Sequence, residues 1–251
     1  MPAILTALDE QHSELAALLD PLDRSDWERP TRCDGWTVAD VVLHLAQTDE
    51  LAVASAQGRF AEGLAVLAGG LDGQGNVDDG AAAMVARERG VLPTALRDRW
   101  RTGAGALRDA LRAGDPHLRV DWVAGQLSIL TLATTRLAEC WIHTGDVAEA
   151  LGVVQEPTER LEHIARLAWR TLPYAFARDG RELAGPVAFD LRAPSGRRWR
   201  FASDAEPATV IEGAGVDLCL VAARRAAPED TSLRGTGPDA LAVLELVRTY
   251  A

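Results

Sequence analysis

AGQLSILTLATTRLAECWIHTGDVAEALG, residues 124–152, is the stretch on which the fold turns. Almost every residue is apolar or small and Gly152 is a natural stop, so the segment reads as one helix from about Ala124 to Leu151. Between Trp122 and Ala148 its ionisable side chains, apart from Cys140, are Arg136, Glu139, His143 and Asp146. At roughly 100° per residue these four fall within an arc of about 80°. Such an arc is either the wetted face of an amphipathic helix, with Arg136 paired to Glu139, or an inward face of a bundle. On the second reading Glu139 and His143, at i and i+4, form a ready pair of metal ligands.

Three further helices are expected upstream. Leu5, Leu8, Leu15, Leu18 and Leu19 recur at helical spacing over residues 3–21, and Pro21 ends the run. After the turn-rich segment DWERPTRCDGW, residues 26–36, Thr37 opens a second helix with Asp40 three residues on, a capping-box pattern, and Trp36 and Val41 stand where a hydrophobic staple belongs. That helix runs to about Gly58. Residues 69–80, GGLDGQGNVDDG, read as a flexible polar loop, and Pro93 suits the first turn of a helix carrying Leu96, Trp100, Leu107 and Leu111. Four long helices imply an antiparallel bundle.

The texture changes after residue 155. A helix over about 158–178 precedes PVAFDLRA, RRWRFAS and ATVIEG, short alternating segments separated by turn residues that read as antiparallel strands. Val216–Ala223 and Pro238–Tyr250 read as helices with TSLRGTG as a strand between them. The expected fold class is thus α plus α+β: a helical bundle over residues 1–155, then a small α+β domain over residues 156–251.

Twenty-six basic against thirty-seven acidic side chains give a formal charge of -11, which repels a phosphate backbone and argues against nucleic acid as a partner. No apolar run reaches the roughly 18 residues of a membrane span, and the first fifteen residues carry acids instead of the basic start of a secretion signal. A cytoplasmic protein acting on a small molecule, as monomer or homodimer, is expected. Cys33, Cys140 and Cys219 lie far apart without CxxC spacing, fitting three thiols in a reducing compartment. Cys140 points away from Glu139 and reads as a small core residue; Cys33 has no basic neighbour beyond Arg32 to activate it.

A third ligand must come from another helix. His44 borders the apolar stripe of Val38, Val41, Val42 and Leu45, where its ring can turn inward; His12, between Leu8 and Leu15, competes with it. His117 and His163 read as loop and surface positions. Asp146 lies one turn beyond His143 and is either an orienting partner for an imidazole or a solvated acid. Asp40 is accounted for by its cap.

WERPTRCDGWTVADVVLHLA, residues 27–46, together with RLAECWIHTGDVAEALG, residues 136–152, resembles the two signature segments of the DinB-like metal-binding superfamily. More narrowly, the chain resembles the mycothiol-dependent maleylpyruvate isomerase family and its actinobacterial metal-binding relatives. The stretch from Pro186 through DLCLVAARR to TSLRGTGPDA is similar to that family's C-terminal domain. The resemblance implies a DinB-like four-helix bundle holding zinc, or another divalent metal, through His44, Glu139 and His143.

Two neutral imidazoles and one carboxylate leave such an ion an open position, where bound water drops from a pKa of about 16 to about 7 and a thiol is deprotonated. The resemblance favours a thiol: mycothiol as cosubstrate, adding to a conjugated double bond, permitting rotation, then leaving. It also implies a functional arginine near the C-terminal segment. Arg234 is the expected cation for a carboxylate-bearing substrate, with Arg224 and Arg225 as rivals, and Arg136 either holds an anionic substrate or pairs with Glu139. The second domain is expected to close over the open side of the metal. Competing classes are a metal-dependent hydrolase, lyase or cyclase that needs no thiol, and a non-catalytic ligand-binding protein with a structural metal. A non-haem iron oxygenase fits less well, because its ligand set usually stands on β scaffolds.

Overall fold

Leucines at helical spacing build α1 (Pro2–Leu19), which buries Ile4, Leu5, Leu8, Leu15 and Leu19. A short helix, α2 (Arg24–Trp27), is closed by an Asp23–Asp26 capping box, in a region the sequence marks only as loop. At the start of α3 (Val38–Ala56) the expected box is present: Asp40 Oδ2 accepts from Thr37 N at 2.9 Å, and Thr37 Oγ1 accepts from Asp40 N at 3.3 Å. Then come α4 (Phe60–Ala68), α5 (Val77–Glu88) and α6 (Pro93–Ala113). A two-residue pair, β1 (Arg119–Val120) with β2 (Leu127–Ser128), leads into α7 (Ile129–Leu151).

The computed structural model describes residues 1–69, 77–123 and 125–249. Of the expected glycine loop, residues 70–76 lie outside this set and residues 77–80 are helical. The long helix starts later than expected. Residues 127–128 are spent on strand pairing, and the Ser128 hydroxyl accepts from Thr131 N at 3.1 Å, a cap that sets the first helical residue at Ile129; Ala124 is outside the described residues.

Contacts divide the chain into two units, Met1–Gln155 and Glu156–Ala251. In the first, α3 packs on α6 and α7, and α1 packs on α7 and α6, giving the four-helix bundle. Its interior holds Leu15, Leu19, Val41, Val42, Leu45, Trp100 and Val147.

His12 is 3% exposed within this bundle, its Nδ1 2.7 Å from Arg108 Nη1. Burial, then the charges of Arg108 and Arg136, hold its pKa down at about 3. It therefore belongs to the packing of α1 on α6, and no group of metal-donor side chains among the described residues includes it. A histidine kept neutral in the fold gains protons in the unfolded chain below about pH 6.5, so its contribution is present above that value and is lost as pH falls toward 3. The stability gap between the unaltered chain and His12→Gln should narrow by about 2 kcal/mol from pH 7 to pH 5 in urea unfolding. A pH-independent gap would contradict this burial.

The second unit opens with two helices where one was expected, α8 (Leu161–Arg170) and α9 (Leu172–Arg178). Pro173 explains the break: it lacks an N–H and its ring clashes with the preceding turn, so it is accommodated only in a first turn. The sheet comprises β3 (Val187–Arg192), β4 (Arg198–Phe201), β5 (Thr209–Ala214) and β6 (Arg234–Thr236) in the order β4-β3-β5-β6. β4 and β6 pair antiparallel to their neighbours, but β3 and β5 run parallel, with Phe189 opposite Ile211, which corrects the all-antiparallel expectation. The outer strands are both short. β4 carries Arg198 and Arg200, each paired with Asp190, and every residue of β6 is exposed.

α10 (Gly215–Ala222) packs on α8 and β5. α11 (Ala240–Leu246) packs on α9 and is shorter than the expected Pro238–Tyr250, because Val247 turns extended; Tyr250 is outside the described residues. No helix among the described residues is long and apolar enough to cross a membrane.

Candidate functional site

The arc of ionisable groups on α7 faces into the bundle. Arg136 and Asp146 are 1% exposed and His143 is 8% exposed, which excludes the wetted-face reading. Across from it, His44 of α3, also 8% exposed, brings its ring centroid within 5.0 Å of the His143 ring. Glu139 stands between them: its Oε2 lies 3.5 Å from His44 Nε2 and 3.6 Å from His143 Nε2. All three donor atoms fall within 4.8 Å of one another.

These spacings suit an ion better than direct hydrogen bonds. Donors bonded to tetrahedral zinc at roughly 2.0–2.1 Å stand about 3.3–3.4 Å apart, whereas N–H···O bonds are about 2.7–3.2 Å. The donor set, two imidazoles and one carboxylate, also matches that of open zinc sites.

Electrostatics separates the three. Burial pushes Glu139 upward, but His44, His143 and Arg136 outweigh it and hold the carboxyl at about 2, ionised at any working pH. Burial lowers His44, and its like-charged neighbours His143 and Arg136 add to this against the pull of Glu139. Burial also lowers His143, yet Asp146, Cys33 and Glu139 more than reverse it, raising the group to about 9.

Asp146 supplies the firmest contact: its Oδ2 sits 2.9 Å from His143 Nδ1. This decides between orienting partner and solvated acid in favour of the first, and it directs Nε2 toward Glu139. His44 Nδ1 is buried and meets no hydrogen-bond partner among the described residues. Asp40 serves the cap and accepts from Arg89 Nε at 2.9 Å.

Pairing with Glu139, one of the two roles left open for Arg136, gives way to a longer-range pair with Asp49. Arg136 donates Nε to Asp49 Oδ1 at 3.1 Å, and its Nη2 lies 3.0 Å from the same oxygen and 2.9 Å from Thr48 Oγ1. Asp49 is itself 1% exposed; burial raises its carboxyl to about 6 against the opposing pull of Arg136. Cys140 is buried and its thiol pushed up by burial, as befits a core residue.

In the second unit, Arg234 is exposed on β6, its Nη1 donating to the carbonyls of Leu233 at 2.6 Å and Thr231 at 3.4 Å. Arg224 donates to Glu245 O, and Arg225 to Ala223 O. Sequence reading missed Asp49 and the contact of Cys33 with Asp146, whose partners lie 87 and 113 residues away.

A family model described as the mycothiol maleylpyruvate isomerase N-terminal domain matches residues 8–148. Over 247 residues the chain is 33% identical to an uncharacterized protein recorded in two strains of Mycobacterium tuberculosis, covering 97% of this chain and 93% of the relative. Crystal structures of a mycothiol-dependent maleylpyruvate isomerase and of a mutant of it share the fold, with TM-scores of 0.61 and 0.63 at 20% and 19% identity. Each alignment covers 94% of this chain and 92% of the solved one.

Proposed function

The chain belongs to the family of the mycothiol maleylpyruvate isomerase N-terminal domain, and from that premise we propose a metal-dependent enzyme that uses mycothiol for isomerisation or thiol transfer. Its substrate is a small electrophile bearing a carboxylate. The observation that carries this reading is the convergence of Glu139 Oε2 on two imidazole nitrogens at 3.5 and 3.6 Å.

His44, Glu139 and His143 hold zinc or another divalent ion, which when bound supplies Lewis acidity and lowers the pKa of a coordinated thiol. Asp146 accepts from His143 Nδ1 and so leaves Nε2 as the nitrogen facing Glu139, the one that would give up its proton when an ion binds. Glu139 stays ionised there because two histidines and Arg136 surround it. The substrate carboxylate is assigned to Arg234, which is exposed and has no acidic partner among the described residues. Arg136 is not given that role: it is 1% exposed and committed to Asp49 and Thr48.

The test is incubation of zinc-loaded, chelator-stripped and zinc-restored protein with α,β-unsaturated carboxylates, with and without mycothiol. Isomer or S-conjugate should form only where both metal and thiol are present. Turnover with metal alone would move the protein to the hydrolase, lyase or cyclase class, and turnover by the stripped protein would remove the metal from the reaction.

A further inference from the structure

The loop between α2 and α3 touches both histidines of the site, and its Cys33 has no part in the function proposed above. Turn hydrogen bonds fix the loop. Trp36 N donates to Cys33 O and Thr31 N to Trp36 O, both at 2.9 Å, and Cys33 N donates to Thr31 Oγ1 at 3.2 Å. Pro30 and Thr37 are joined by a bridge. On one side of the loop the Trp36 ring lies 5.2 Å from the His44 ring. On the other, the half-buried Cys33 Sγ donates to Asp146 Oδ2 at 3.2 Å, the same oxygen that holds His143 Nδ1.

Two sets of three donors therefore share His143: His44 with Glu139, and Cys33 with Asp146. Spacing tells them apart. A thiolate and a carboxylate on one zinc ion stand about 3.5 Å apart, and an imidazole and a carboxylate about 3.3–3.4 Å. The Cys33 set is closed to 3.2 and 2.9 Å, hydrogen-bonding distances, while the Glu139 set is spread to 3.5 and 3.6 Å.

We propose that Cys33 is a positioning residue of the metal centre, acting on His143 through Asp146. The thiol and the imidazole N–H converge on one carboxylate oxygen from a rigid turn and a helix, which fixes the rotamer of Asp146 and with it the direction of His143 Nε2. Asp146 is 1% exposed, so bulk water does not stand in for a donor that is removed. Orientation of a ligating histidine by its outer partner is what preserves metal affinity. The inference rests on the three-ligand reading of the site.

Zinc affinity is measured by competition with a chelating indicator, and urea midpoints are recorded alongside. Cys33→Ala should bind zinc about tenfold more weakly, at the low end of the 10–100-fold effect of outer partners, because a thiol is a weak donor. Cys33→Ser, whose hydroxyl donates to the same oxygen, should stay within about threefold of the unaltered chain, and both should keep its midpoint. Equal affinity for Cys33→Ala and the unaltered chain overturns the inference while leaving the three ligands standing. A thiolate charge-transfer band in the cobalt-substituted protein that is lost in Cys33→Ser overturns it too, by making Cys33 a ligand. Failure of the unaltered chain to bind zinc removes the metal reading and this inference together.

Discussion

Glu139→Ala and His44→Ala are expected to purify without stoichiometric zinc and to bind added zinc at least about 100-fold more weakly, beyond the 10–100-fold cost of losing an outer partner. Each removes one of three donors, and neither loss has a substitute nearby. Asp146 is held by His143 and Cys33, and Asp49 by Arg136. Glu139→Ala also removes the carboxylate that faces both imidazole Nε2 atoms, leaving Asp146 to His143 and Asp49 to Arg136.

Thermal stability gives a second readout. Zinc at 100 times its dissociation constant stabilises the unaltered chain by about 2.7 kcal/mol, and the same concentration stabilises a variant with 100-fold weaker binding by only about 0.4 kcal/mol. Full zinc content in both variants would falsify the coordination scheme.

Arg136→Met should destabilise the bundle by about 3–5 kcal/mol, the cost of breaking a buried ion pair from one side. For a unit of this size the melting temperature falls by roughly 10 °C. The reason is Asp49, which at 1% exposure keeps its carboxylate through Arg136. Even with that partner, burial raises Asp49 to about 6; without it the group rises further. A carboxyl whose pKa is raised in the fold contributes stability that is complete below its unfolded value and lost as pH rises through the folded value. The defect of Arg136→Met should therefore be largest near pH 8 and shrink as the medium is acidified. Adding Asp49→Asn should restore part of the loss at neutral pH. An unchanged melting temperature, or a defect that deepens in acid, would show that the pair is not what holds α3 to α7 at this point.

The parts of the molecule legible in the sequence are those whose chemistry is local. Thr37 and Asp40 announce the start of α3 because a capping box closes within one turn, and Glu139 with His143 announces a ligand pair because i and i+4 share a face whatever the tertiary fold. Pro173 breaks a helix by the same local rule, one the periodicity of residues 158–178 conceals. The contacts that remained hidden are long-range. The acid that meets Arg136 is on another helix, and that choice depends on the rotation of α3 against α7, which no spacing along either helix reveals. Cys33 shows no activating neighbour in its own segment, since its partner arrives from α7. Alternation in β3 and β5 marks which side chains are buried but is the same for parallel and antiparallel pairs, so strand direction was not readable from it.

The short outer strands β4 and β6 bear on self-association. An open sheet can grow by recruiting a strand from another copy, which requires an accessible, uncharged rim with several free backbone groups in register. Here one rim bristles with Arg198 and Arg200 and the other is only three residues long and begins with Arg234. A symmetric docking of the β4 rim on itself would bring Arg198 and Arg200 of two copies together with one Asp190 in each copy to offset them, which disfavours growth of the sheet at that rim.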